Sequence, residues 1–221
     1  MTTPFLQHNL FEINDDLKPQ LNKLGPYEYL SIDNFYKRPE DIHELLKNSW
    51  AQGFKVRADG KNFIEYFDCY MKIPIHETRY NEDFKTTNYL KSLLSLDNHY
   101  CSEIHANIFS WINTPSQEIQ FCPHQDGSYN ILIYLDKINS GGTALYNKMP
   151  KTGLEVEKDF RYNINQEMLE PVIIPSEFNK CVIFDGNIPH GGYIEDHSKY
   201  SNNNWRYNLV YFFNKHEFKF I

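Results

Sequence analysis

A mainly β chain with flanking helices, its strands wound into a double-stranded β-helix (a jelly-roll, cupin-like core), follows from three observations. From Cys101 onward, short β-branched and aromatic runs recur between turn signals, and strands spaced so closely close into jelly rolls. Only two stretches carry a helical period, and both precede residue 100. Aromatic residues make up 16% of the chain, with 16 Tyr and 16 Phe, a fraction that suits broad pleated surfaces. The 221 residues are enough for a full core and show no internal repeat, low-complexity tract or linker. One domain over 1–221 is expected, with an N-terminal arm and buttressing helices in 1–100 and the β core in 101–221.

The elements are expected in this order. Residues 1–26 are polar with scattered apolar positions and read as an extended arm packed on the core. YEYLSIDNF (27–35) reads as a strand. Pro39 then suits the first turn of a helix running to about residue 50, with Ile42, Leu45 and Leu46 at helical spacing. Residues 54–75 read as two short strands about an Asp-Gly turn, and Leu90, Leu93 and Leu94 share one face of a helix over 88–96. In CSEIHANIFSWI (101–112), alternation puts Ile104, Ala106 and Ile108 on one face and His105, Asn107, Phe109 and Trp111 on the other. Further strands are expected near 119–123, 129–135, 143–147, 171–175, 180–184, 191–194 and 204–213.

Composition narrows the function classes. Lysine and arginine number 22 against 29 acidic residues, a formal charge of −7. That balance disfavours nucleic acid as a partner, since a broad phosphate-binding surface needs a cationic excess. Cys69, Cys101, Cys122 and Cys181 are scattered without a C-x-x-C pair and read as reduced thiols. The first fifteen residues, MTTPFLQHNLFEIND, lack the charged-then-apolar pattern of a signal segment, and no apolar run approaches transmembrane length. A soluble, cytoplasmic protein without a membrane partner is expected.

The chemistry is carried by His124 and Asp126 in CPHQDGSYN, and by His190 in FDGNIPHGGY. Side chains two positions apart on a strand point the same way, so His124 and Asp126 can grip one ion from one face. Two imidazoles and a carboxylate fill one face of an octahedral ferrous ion and leave three positions open. His190 arrives from a distant strand, KCVIFDG, that breaks into a Pro-His-Gly-Gly turn. Arg206 follows sixteen positions later inside the buried-strand pattern WRYNLVYFF; a buried arginine needs an anionic partner, and its planar fork suits a carboxylate. Alone, His-x-Asp is common by chance. The same three residues would also serve as a hydrogen-bonded pair with His190 capping a turn.

The ordered set is more specific. His-x-Asp is followed by the strand YNILIYL, then Gly-Gly-Thr-Ala-Leu-Tyr, a strand, Pro-His-Gly-Gly, and Arg in a strand. This order, over about residues 100–213, resembles the Fe(II)/2-oxoglutarate-dependent dioxygenases, nearest to their prolyl-4-hydroxylase-like branch. The resemblance implies that His124, Asp126 and His190 hold Fe(II) and are the catalytic set. It implies that Arg206 pairs with the distal carboxylate of 2-oxoglutarate; the Tyr134 hydroxyl, in the strand after His-x-Asp, reads either as joining Arg206 there or as ordinary core packing. It implies use of O2 to hydroxylate a C–H bond, with release of succinate and CO2. Family members that halogenate lack the carboxylate present here as Asp126, so hydroxylation is favoured. A peptide or protein side chain is the expected substrate, with a free amino acid or other small molecule next. The competing class is a catalytically silent or non-oxidative cupin-like protein that binds a metal or small molecule.

Other residues are placed by strand parity or by the resemblance. Asn208 shares the face of Arg206, where related enzymes often carry a small hydroxyl residue, so asparagine departs from the pattern. Asn107, Trp111 and Asn130 are expected to line the substrate cavity. The charged segment 148–170, longer than an ordinary loop, reads either as a lid contacting substrate through Arg161 and Tyr162 or as a solvated excursion. Cys122, two residues before His124, shares its strand parity, but the family uses no such ligand.

Overall fold

A computed structural model of the chain describes residues 10–49, 56–58, 64–73, 85–111, 123–149, 171–200 and 204–215. The first strands, β1 (Gln20–Leu24) and β2 (Tyr27–Ile32), precede helix α1 (Pro39–Ser49). Strands β3 (Val56–Ala58) and β4 (Ile64–Ile73) follow, then helix α2 (Lys85–Leu93) and the long β5 (His99–Trp111). The chain then forms β6 (Tyr129–Tyr134), β7 (Gly141–Leu145), β8 (Val172–Pro175), β9 (Cys181–Asp185), β10 (His190–Ile194) and β11 (Arg206–Lys215).

Among the described residues the strands form two antiparallel sheets. The large one runs β1-β2-β9-β6-β11-β5-β4-β3 and the small one β10-β7-β8. An isolated antiparallel bridge between His124 and His190 adds the start of a further strand beside β10. Sequence neighbours such as β6 and β7 lie in different sheets, as the double-stranded β-helix requires. The expected fold class is therefore the observed one.

Alternation along β6, β9 and β11 explains two distinct cores. Ile131, Ile133, Cys181, Ile183, Tyr207, Leu209 and Tyr211 face outward and pack with Ile42 and Leu46 of α1 and Leu90 of α2. Leu132, Tyr134, Val182, Phe184 and Val210 face inward, against Leu145 and Ile174 of the small sheet. Each helix thus buries one apolar stripe against the large sheet. His43 ties α1 down further. Its Nδ1 lies 2.8 Å from the Leu135 carbonyl, and its ring packs edge-on to Tyr207 at 5.0 Å.

Two details differ from the sequence reading. Residues 20–24, read as part of an extended arm, form the edge strand β1, paired to β2 from Gln20↔Ser31 to Leu24↔Tyr27. The hairpin rests on Gly25, whose φ of +60° is cheap only without a Cβ, followed by Pro26. This edge is mostly exposed, so its apolar alternation is weak and hides the strand. The second helix starts three residues earlier than the leucine spacing suggests and ends at Leu93, two residues before Ser95, which takes a positive φ of 54°. No helix among the described residues is long and apolar enough to cross a membrane.

Burial holds the His43 imidazole below its ordinary value of 6.5, although its hydrogen bond to Leu135 pulls the other way. A group whose folded pKa is depressed stabilises the fold fully above its unfolded pKa, and that stability is lost as pH falls. Thermal melts between pH 8 and 5 should therefore show a decline setting in below about 6.5. In His43→Asn, which keeps a donor but does not titrate, that part of the slope should flatten.

Candidate functional site

The three expected ligands meet. One donor atom from each of His124, Asp126 and His190 lies within 4.8 Å of the others. Sixty-six positions separate the two histidines, and two backbone hydrogen bonds bring them together: His124 N–H donates to the His190 carbonyl at 2.9 Å, and His190 N–H returns the bond at 2.9 Å. Directly opposed residues of an antiparallel pair carry side chains on one side. The rings accordingly lie 4.5 Å apart.

Asp126 is held by the next turn. Its N–H donates to the Gly186 carbonyl at 2.9 Å, and Gly186 N–H donates to Ser128. Gly127, at φ +76°, then lets the chain reverse into β6. A Cβ on Gly186 would lie 2.1 Å from the Ser128 carbonyl oxygen, so the contact between the two turns requires glycine there.

Exposure grades across the three side chains, from His190 at 3% through Asp126 at 19% to His124 at 56%. A cation would therefore enter from the His124 side. His190 Nδ1 lies 2.7 Å from the Ile188 carbonyl, which fixes that nitrogen as the N–H. The Nε2 lone pair then faces inward, the arrangement found in metal-ligating histidines. Nε2 has two neighbours, the Asn130 amide nitrogen at 2.8 Å and Asp126 Oδ2 at 3.3 Å. The shorter contact has the amide donating to a neutral ring, and that pairing agrees with the Ile188 bond. Burial pushes the Asp126 carboxyl up, but the His190, His124 and Asn130 groups around it hold it below its ordinary value.

A second polar group lies deeper on the same inward face. Arg206 is 6% exposed, with Nη2 donating to the Gly142 carbonyl at 2.9 Å and Nη1 a long 3.4 Å from Asn208 Oδ1. Its Nε has no acceptor, and among the described residues no carboxylate pairs with the guanidinium. A buried, half-satisfied cation is costly unless an anion completes it. Asn107 and Tyr134 flank Asn208 on the two neighbouring strands, so all three share this face. The Tyr134 hydroxyl lies 2.7 Å from Thr143 Oγ1 of the small sheet. Burial pushes its phenol up to about 12, although Thr143 and Arg206 pull it down, so it stays a neutral donor.

Of the remaining expected residues, Asn130 lies against Asp126 and His190 themselves. Trp111 ends β5, with its backbone opposite Tyr66. Arg161, Tyr162, Cys122 and nearly all of 148–170 lie outside the described residues. Sequence reasoning missed Thr143 and the carbonyls of Ile188 and Gly142. Backbone acceptors leave no mark on residue type, and the pairing of Thr143 with Tyr134 crosses between sheets. A cavity of about 400 Å³ opens beside the Asp126 turn, lined by Ser128, Tyr129, Asp185 and Asn187 with Leu96, His99 and Phe213. None of the ligand residues lines it.

No family model matches the chain, and no curated protein does. Solved structures do match in fold. The epimerase SnoN, in complex with Fe3+, alpha ketoglutarate and nogalamycin RO, aligns with a TM-score of 0.53 at 10% identity, covering 85% of this chain and 78% of its own. An oxidoreductase of the 2OG-Fe(II) oxygenase family from Burkholderia pseudomallei aligns at 0.52 and 12% identity, covering 85% and 84%. EctD from S. alaskensis, with bound Fe, aligns at 0.51 and 13% identity over 94% and 88%. The chain shares the fold of the iron and 2-oxoglutarate oxygenases.

One prediction follows from Gly142. A Cβ there would lie 2.0 Å from the Ile174 carbonyl oxygen, on backbone that cannot swing aside. Gly142→Ala should therefore cost about 2 kcal/mol or more in chemical denaturation, because overpacking against a fixed strand strains both.

Proposed function

We propose that the chain is an Fe(II)- and 2-oxoglutarate-dependent dioxygenase that hydroxylates a C–H bond, with 1–221 acting as one oxygenase domain. A single observation supports this reading most. One inward face carries a clustered His-Asp-His donor set at its mouth and, deeper, a buried arginine lacking an anion. The donor set fits Fe(II), since imidazole and carboxylate oxygen suit a metal with open positions. The orphaned guanidinium nitrogen fits the far carboxylate of a short dicarboxylate.

When bound, iron and 2-oxoglutarate would supply the oxidation, in which co-substrate, O2 and a substrate C–H bond give succinate, CO2 and the C–OH product. The protein's own part is orientation and exclusion of water. His124, Asp126 and His190 hold the metal, and the Ile188 carbonyl keeps His190 in the binding tautomer. Arg206 pairs with the distal carboxylate; Tyr134, Thr143 and Asn208 offer further polar contacts around it. Leu132, Val182, Phe184 and Val210 make the surrounding wall apolar, which strengthens every charge contact inside it. Asn107 and Trp111, with Arg161 and Tyr162 of 148–170, remain our candidates for contacting substrate. The oxidised group is a small-molecule, free amino acid or peptide C–H bond, acted on in the cytoplasm.

A second reading, a silent binding module, is favoured by one observation. The Asn130 amide already satisfies the inward lone pairs of Asp126 and His190. Succinate formation separates the two readings. Anaerobically iron-loaded protein given 2-oxoglutarate and air should form succinate, whereas His124→Ala should not. Lack of succinate together with lack of the metal-to-keto charge-transfer band would overturn the oxygenase reading. Arg206→Met should weaken 2-oxoglutarate binding about tenfold to a hundredfold, because a charge-assisted bond is worth roughly 1.5–3 kcal/mol. Titrating the charge-transfer band measures that loss directly.

A further inference from the structure

Asn130 has an arrangement that the oxygenase reading does not explain. It lies buried on β6, a central strand whose backbone is paired on both sides, with Asn130 itself opposite Phe184. Its Nδ2 lies 2.5 Å from Asp126 Oδ2 and 2.8 Å from His190 Nε2. Both amide hydrogens are thus directed at lone pairs that a bound cation would take. The other end of the same amide, Oδ1, is buried with no partner among the described residues. An amide oxygen has two acceptor sites, and a buried orphan of that kind calls for an explanation.

We infer that Asn130 is a positioning residue for the cation, whose amide spans Asp126 and His190 and turns over to present Oδ1 in place of Nδ2 when a cation takes their lone pairs. The inference rests on the metal-site reading above. Once both lone pairs are engaged by a cation, the Nδ2 hydrogens lose their acceptors and their positive end faces a positive ion. The backbone of a central strand cannot retreat. The terminal torsion of asparagine is soft and roughly two-fold, and turning it exchanges nitrogen for oxygen within the same volume. The turned amide sets its negative end toward the cation, as a ligand or as acceptor for a water bound to it. The orphaned oxygen thereby gains its partner. Bridging a carboxylate and an imidazole, the same side chain keeps the two from drifting apart.

Mn(II) binding by calorimetry tests this with wild type, Asn130→Ala, Asn130→Asp and His124→Ala. Wild type should bind and His124→Ala should not. Asn130→Ala should bind about tenfold to a hundredfold more weakly, the usual loss when a group supporting metal ligands is removed. Asn130→Asp, which always presents an oxygen, should bind at least as tightly as wild type. The Co(II) absorption bands should change in Asn130→Ala. Equal or tighter Mn(II) binding by Asn130→Ala, with wild type binding and His124→Ala silent, would overturn the inference and leave the metal site standing. A wild type that binds no Mn(II) would remove the metal site and this inference with it. Should Asn130→Ala fail to fold, wild type labelled with 15N-asparagine decides. Zn(II) should shift one exchange-protected side-chain amide pair and speed its exchange, while an unmoved pair in zinc-bound protein would refute the turn.

Discussion

Two backbone hydrogen bonds, exchanged between His124 and His190, hold the site together. They join the start of one strand to the start of β10, and so bring two imidazoles from distant sequence onto one side of the small sheet. The Asp126 to Gly186 bond does the same for the carboxylate, tying the turn after His124 to the turn after β9. Because these links are between main-chain atoms, they tolerate many side chains nearby. They do not tolerate bulk where the chains touch. That is why glycine stands at 186, where a Cβ would fall 2.1 Å from the Ser128 carbonyl oxygen.

The inward face places its charges in an otherwise apolar sandwich. Arg206 and Asp126 each pay for burial, and each is compensated differently. Asp126 is met by the polar groups of His190, His124 and Asn130, which hold its carboxyl below its ordinary value despite burial. Among the described residues Arg206 is met by a carbonyl and a distant amide, leaving part of its fork unused. A fold that stabilised itself alone would pair that arginine with a carboxylate. The proposed function assigns that unmet capacity to the far carboxylate of the co-substrate.

Much of this was legible in the sequence. Alternation placed Ile104 and Ala106 opposite to His105 and Asn107, and it placed Arg206 and Asn208 on one face, because a strand repeats every two residues whatever surrounds it. The β1–β2 hairpin was harder to see, since an exposed edge needs little apolar alternation and only Gly25 betrays the turn. Thr143, the Ile188 carbonyl and the Asn130 contact could not be read at all. Each depends on which strands face one another across the sandwich, and residue types do not encode that.

The sequence by itself determined the two-residue periodicity, the helical stripes, the donor types and the glycines that allow turns. These are local properties, set by backbone sterics and by the chemistry of each side chain. Only the tertiary structure decided that donor atoms of His124, Asp126 and His190 come within 4.8 Å of one another, and that Arg206 lies buried on the same face with no anion beside it among the described residues. Distances between distant residues depend on sheet order and register, which the packing of two cores settles collectively. No single segment carries that information.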